Sequence, residues 1–426
     1  MLTQETIDAY CTLLHRELIP ATGCTEPIAI AYAAALLQET LGALPERMEV
    51  AVSGNILKNA KSVVVPGTGG KKGIAAAAAA GAVAGDSKRL LEVIDGITPN
   101  QREAICEYLV RTKITVSCIE DGLTLDIRIK GWANGDSAFV RIAGAHTNVV
   151  CIERNGKTLL DVPTIEPGHE SDAPGALNTA DIVAFADTVD LDRVRGPLLR
   201  QLKLNLAIAE HGMQQGCGAN IGRVLLCEGN GDIVARARAY AAAGSDARMS
   251  GAELPVVILS GSGNQGITAS VPVAVWARER GFSEEALLRA LIVSDLVTIH
   301  QKTGIGRLSA FCGAVCAGCG AGAGIAYLEG YGYDGVAHAV VNALAIISGM
   351  VCDGAKASCA AKIAVAVDAG ILGYRMYTQK QEFVSGDGIV VKGVDNTIRN
   401  IGRLAKDGMR ETESEILSMM LETETK

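Results

Sequence analysis

The chain has 426 residues, of which 49% are hydrophobic and 20% charged, with a net charge of −8 and 12 cysteines. That length is sufficient for two or three cores, and that apolar content excludes a disordered chain. An acidic balance without a block of basic residues weighs against nucleic acid or an anionic membrane surface as the main partner.

Aromatic residues make up only 4% against 49 glycines, so the core is expected to be rich in small residues and its helices closely packed. Met1 to Tyr10 carries acids and no apolar run, which does not read as a secretory signal. Cysteines in such a chain point to a reducing compartment, the cytoplasm, where thiols are free, ligating or nucleophilic rather than paired. Two charge-free stretches, 308–328 and 335–352, approach membrane-spanning length. The first is mostly Gly, Ala and Cys, so buried helices of a soluble core are expected.

In chain order, residues 3–18 form an amphipathic helix pattern ended by Pro20–Gly23, and a second helix runs from near Thr25 to about Leu41. M-E-V-A-V-S from Met48 and K-S-V-V-V-P from Lys61 read as strands. Gly73 to Gly85 is a small-residue helix. Strands follow at Lys113–Ile119, Thr124–Lys130, Ser137–Ile142 and Asn148–Glu153, the last closing on an Asn155-Gly156 hairpin turn. From about Asp172 onward, helical periodicity and glycine-rich connections dominate. The expected fold class is therefore α+β: a mainly helical discontinuous domain, 1–45 plus 171–426, with a smaller α/β sheet domain, 46–170, inserted.

Several motifs invite a chemical reading. G-S-G-N-Q-G at 261–266 matches a dinucleotide fingerprint, but Pro272 stands where the following helix needs an N–H, and no strand–helix–strand alternation follows. A glycine turn whose amides hold a carboxylate is the better expectation. P-G-T-G-G-K-K-G at 66–73 misses the phosphate-loop spacing and reads as a turn before the alanine helix. Cys312-x3-Cys316-x2-Cys319 has the spacing of radical S-adenosylmethionine enzymes, yet no β/α barrel can follow it in the residues that remain. Cys316 and Cys319 are compatible with small buried residues, and their role is left open. C-D-G-A-K-A-S-C at 352–359 is a turn able to aim two thiolates at one metal. With Cys312 it offers three soft ligands for an iron–sulfur cluster, zinc or copper. Cys24, just before a helix with Thr25 as its expected N-cap and Pro27 in the first turn, is expected to have a lowered pKa and to serve as base or nucleophile. No H-x3-H, H-E-x-x-H or G-x-S-x-G pattern supports zinc or serine hydrolysis.

Taken together, G-C-T-E-P at 23–27, G-N-I-L-K-N at 54–59, V-P-G-T-G at 65–69, G-A-H-T-N at 144–148, S-D-A-R-M at 245–249, S-G-S-G-N-Q-G at 260–266, R-L-S-A-F-C at 307–312 and C-D-G-A-K-A-S-C at 352–359 span almost the whole chain. This combination resembles the L-cysteine desulfidases, a branch of the iron–sulfur serine dehydratase α-chain family. The resemblance implies a [4Fe-4S] cluster held by Cys312, Cys352 and Cys359, with the fourth iron open to substrate and Cys24 exchanging a proton with it. The implied reaction is elimination of hydrogen sulfide from L-cysteine. L-serine dehydration at the same site is the nearest rival, and a non-catalytic protein with structural zinc the rival of another class. Ser262, Asn264 and Gln265 are the expected carboxylate contacts. Thr25, Glu26, Asn55, Lys58, His146 and Asn148 are further substrate-binding candidates. The partner to expect is a small amino acid, with homodimerisation left open.

Overall fold

The computed structural model describes residues 2–120, 123–164, 177–228, 231–306 and 308–422. The chain opens with α1 (Gln4–Glu17), β1 (Pro20–Thr22), α2 (Thr25–Leu41), β2 (Arg47–Ser53), α3 (Gly54–Ala60), α4 (Gly73–Ala84) and α5 (Pro99–Arg111). The strands β3 (Lys113–Ile119), β4 (Asp126–Ala133), β5 (Asp136–Ala143), β6 (Val149–Arg154) and β7 (Lys157–Asp161) follow. Helices then dominate: α6 (Thr179–Thr188), α7 (Arg195–Gln215), α8 (Ile221–Glu228) and α9 (Ile233–Met249) precede the short β8 (Pro255–Val257). After it come α10 (Gly263–Arg280), α11 (Glu284–Ile305), α12 (Gly313–Leu328), α13 (Gly332–Ile346), α14 (Cys359–Thr378), α15 (Val394–Arg403) and α16 (Arg410–Glu422). The fold is mainly helical with a mixed sheet, as the patterning predicts. No helix among the described residues is long and apolar enough to cross a membrane.

The sheet has the order β3-β2-β4-β5-β6-β7. Only β2 and β3 are parallel, and α3, α4 and α5 supply the crossover such a pair demands. The β6–β7 hairpin turns on Asn155 and Gly156, both at positive φ, the requirement of a two-residue turn. Residues 61–66, expected as a strand, are not one. Both edges of β2 are already taken by β3 and β4, so the buried Val63 and Val65 bond instead to the turn that follows, Val65 N–H to Lys71 O and Gly73 N–H to Val63 O, and Val64 makes a single bridge to Lys72. A domain boundary at 170/171 falls outside the described residues.

Helix packing is set by small residues. Along α12 and α14 the backbones touch: a Cβ on Gly318 would lie 2.3 Å from Ala366 O, and one on Gly322 would lie 2.3 Å from Gly370 O. The paired positions advance together, so the two helices run parallel and their N-terminal ends, at Cys312 and Cys359, stand side by side.

One buried polar pair lies apart from those ends. Asp295 on α11 is fully buried and accepts from Gln201 Nε2 at 2.9 Å, while Asp295 Oδ2 and Gln201 Oε1 have no partner. Burial pushes the Asp295 carboxyl up to about 7. A protonated carboxyl has a hydrogen for Gln201, which an ionised one lacks. Because the folded state keeps this proton longer than the unfolded chain, the group's contribution to stability falls as pH rises from about 4 to about 7 and is level beyond. Asp295→Asn should remove that fall and gain on the order of 4 kcal/mol above pH 7. Urea unfolding of both proteins at pH 5 and pH 8 checks it, and an equal difference at the two values would contradict it.

Candidate active site

Two short pairings gather segments that are distant in sequence. β1 lies antiparallel to β8, with Pro20 opposite Val257 and Thr22 opposite Pro255, so the chain entering α2 runs beside the chain entering α10. Gly23 has φ +81°, and a Cβ there would meet Pro66 Cγ at 2.5 Å, which makes glycine the residue that fits before Cys24. On the far side, Phe311 bridges Val351. Cys312 N–H donates to Met350 O at 3.0 Å and Cys352 N–H to Ala310 O at 2.6 Å.

The two halves meet. Cys24 shares a small apolar cluster with Val63 and Met249, against which Ala355 and Cys359 pack. The Gln265 side chain lies on Gly313, where a Cβ would meet its amide carbon at 2.6 Å. The N-terminal ends of α2, α10, α12 and α14 therefore converge, and each presents the positive end of its dipole.

Glu26 is the hub of the α2 end. It is 6% exposed, and Cys24 Sγ donates to its Oε2 at 3.2 Å while Asn59 Nδ2 donates to its Oε1 at 3.2 Å. Thr25 Oγ1 lies 3.0 Å from Glu26 Oε2 and 2.9 Å from Gly261 O, tying α2 to the glycine turn. His146 Nε2 stands 3.9 Å from Glu26 Oε1, beyond hydrogen-bond length, and has no hydrogen-bond partner. Burial opposes ionisation of Glu26, but His146 and the Cys24 thiol outweigh it and hold the carboxyl at about 2.

Two expectations about this end are corrected. Cys24 itself is the N-cap of α2, with no side-chain cap bond, and Thr25 is the first helical residue. The Cys24 thiol is not lowered but pushed well above its ordinary value, first by burial and then by the Glu26 charge, with Arg248 pulling the other way. A neighbouring carboxylate in a dry site outweighs a helix dipole.

At the other end, the Cys312 and Cys352 thiols interact directly. Cys352 is lowered to about 6, first by its hydrogen bond with Cys312 and, against the cost of burial, by Lys58, the Gly354 N–H and Lys362. Cys312 is raised correspondingly, first by that hydrogen bond and then by burial. Cys359 is raised by burial, and its Sγ lies 3.7 Å from Gly354 O. Asp353 binds both Lys356 and Lys362 and so pins the turn. No three His, Cys, Asp or Glu side chains among the described residues are arranged to hold one metal ion. A cubane cluster asks instead for three soft donors on three corners. Three gathered thiols beside the cations Lys58 and Lys362, at the positive ends of α12 and α14, fit that group.

The substrate-binding candidates divide. Asn55 Oδ1, His146 Nε2 and Gln265 Oε1 are buried polar atoms without hydrogen-bond partners among the described residues. Ser262 is the N-cap of α10 without a side-chain cap bond, and Asn264 Oδ1 accepts from Arg248. Lys58 is buried but engaged with Glu413 at 2.6 Å, so it serves the cysteines and α16 rather than a substrate. Asn148 is spent on a turn, where its Nδ2 donates to Ala143 O at 2.9 Å, and it is not brought to the site. Cys316 and Cys319 are fully buried along α12. The glycine turn does lead straight into α10, whose Pro272 is tolerated because Val271, Val273 and Val275 are buried around it. β8 pairs only with β1, so the turn is still no dinucleotide fold.

Sequence reasoning passed over Arg248 and Asn59. Arg248 is 2% exposed in the otherwise small-residue end of α9. An arginine two residues from an aspartate, closing the small-residue run that ends α9, was the signal that could have found it.

The family model of the serine dehydratase alpha chain matches residues 88–418. A UPF0597 protein of Desulfitobacterium hafniense is 54% identical over 413 residues, covering 97% of this chain and 96% of its own. UPF0597 proteins of Treponema denticola and Bacteroides thetaiotaomicron are 43% and 42% identical, covering 97% and 96% of this chain and 98% and 96% of theirs.

Proposed function

This chain belongs to the serine dehydratase alpha chain family, and on that premise we propose that it is an iron–sulfur lyase that eliminates hydrogen sulfide from L-cysteine. The observation that carries the reading is the meeting of Cys24 and Cys359 in one apolar cluster. It sets a proton-exchanging thiol against the thiols that would hold the cluster.

Cys312, Cys352 and Cys359 would be the protein ligands. When bound, a cluster with one iron free of protein ligands supplies a Lewis acid that polarises the bond to the leaving sulfur. The chain's own residues do the rest. Cys24 Sγ holds its proton toward Glu26 Oε2, and Glu26, ionised across the neutral range, can take it. That transfer is uphill in a buried site, and Arg248 is the neighbour that favours the thiolate. The thiolate then removes the Cα proton as the carbon–sulfur bond breaks. The enamine product hydrolyses to pyruvate and ammonia, so one cysteine and one water give one sulfide, one pyruvate and one ammonia. Burial of Cys24, Glu26 and His146 keeps water from the proton path.

The name of the matched family favours a second reading, L-serine dehydration by the same residues with a hydroxyl leaving. Metal analysis of anaerobically reconstituted protein tests the shared part of both. Iron with an equal amount of acid-labile sulfide supports a lyase, whereas one zinc and no sulfide would assign a structural site. Glu26→Gln should keep that iron and sulfide and lower kcat by about 10²- to 10⁴-fold, because the proton on Cys24 then has no acceptor. Retained kcat would remove Glu26 from the proton path.

A further inference from the structure

We propose that Arg248 is the anchor for the substrate's carboxylate, with the first amides of α10 completing the cradle. This rests on the reading of the site as one that binds a small amino acid. A guanidinium keeps its charge at any working pH, and burying it without an anion is costly. Arg248 is 2% exposed and makes no ion pair among the described residues. Two of its nitrogens are held by neutral oxygens, Nε by Gly23 O at 3.1 Å and Nη1 by Asn264 Oδ1 at 3.1 Å. The third, Nη2, is buried without a partner.

Its surroundings point to the class of anion. The bond to Gly23 O places the guanidinium one residue from Cys24, and Asn264 joins it to the start of α10. That helix has 18 residues and no side-chain cap. Its first intrahelical bond is Gly266 N–H to Ser262 O, so the amides of Gly263, Asn264 and Gln265 precede the ladder and face an anion-binding end. The opposite polarity is close at hand. Gln265 Oε1 and Asn55 Oδ1 are buried acceptors without donors, suited to an ammonium. Asn55 lies one helical turn from Asn59, which donates to Glu26. A small acid bearing an amine beside its carboxylate supplies the anion that Arg248 lacks; an amine alone leaves Arg248 uncompensated.

The test uses three thiols on the cluster-loaded protein: 3-mercaptopropionate, which has the carboxylate but no amine; cysteamine, which has the amine but no carboxylate; and L-cysteine. Binding is read by thermal shift and by inhibition of L-cysteine turnover. The wild type should bind 3-mercaptopropionate at least about 30-fold more tightly than cysteamine. Arg248→Gln should raise KM for L-cysteine by at least about 30-fold, abolish the preference between the two analogues and leave iron content unchanged. Arg248→Lys, which keeps the charge but not the fork, should recover part of both. A wild type that binds cysteamine as tightly as 3-mercaptopropionate would overturn the proposal whether or not any variant folds, as would an Arg248→Gln protein with wild-type KM and preference. Arg248-dependent binding of 3-mercaptopropionate without turnover of any amino acid would uphold the anchor while refuting the lyase.

Discussion

Replacing Cys24 by alanine is expected to leave iron and acid-labile sulfide at wild-type levels and to lower turnover of L-cysteine by about 10²- to 10⁴-fold. The expectation follows from where the thiol points. Cys24 Sγ donates to Glu26 Oε2 at 3.2 Å and packs with Val63 and Met249, touching the Cys359 side of the site without joining the thiol pair of Cys312 and Cys352. Alanine removes one buried sulfur, at a cost on the order of 1 kcal/mol, and disturbs no backbone bond of the α2 start. Serine should not rescue turnover, because its hydroxyl can replace the hydrogen bond to Glu26 but not supply a thiolate. Measurement of metal content beside kcat separates the outcomes. Loss of the cluster in Cys24→Ala would make Cys24 a ligand and contradict its assigned role.

The second large effect is expected at Cys352. Cys352→Ala should abolish both iron binding and turnover while the protein stays folded, with helical circular dichroism unchanged. Cys352 is the most acidic thiol of the trio and is held against Cys312 by the Phe311–Val351 bridge, so its loss removes one of three corners and the thiolate most readily formed. The fold does not rest on it, since α12 and α14 are joined through Gly318, Gly322 and Gly370 farther along their length. Cys316→Ala and Cys319→Ala are the contrast. Both side chains are buried along α12, and their variants should keep full iron. Iron retained in Cys352→Ala, or lost in Cys316→Ala, would redraw the ligand set.

Much of this architecture is legible in the residues because it is local. The bounds of α2 follow from Pro27 near its start and Gly42 in the left-handed conformation at its end, and the β6–β7 turn from Asn155-Gly156. Residues 61–66 mislead because three consecutive valines report burial as readily as strand pairing, and only the topology reveals that β2 has no free edge. Pro272 misleads in the opposite direction, since a helix buried on every side survives the loss of one backbone bond.

The site divides along the same line. Cysteine spacing and the short quoted segments select Cys24, Cys312, Cys352 and Cys359, and the fold gathers them. The sequence does not reveal that Lys58 is taken by Glu413 across 355 residues. That pairing depends on contact between elements far apart in the chain. The pKa of Cys24 fails for a different reason: Glu26 stands two residues along the chain, but the burial that raises the thiol most is a tertiary property.

The most direct test of the account is product release by the anaerobically reconstituted protein, with L-cysteine and L-serine supplied in parallel. Pyruvate and sulfide are expected in equal amounts from L-cysteine, outpacing any pyruvate formed from L-serine. Turnover of L-serine alone would contradict the assignment of cysteine as substrate, and no product from either, with the cluster present, would contradict the lyase itself.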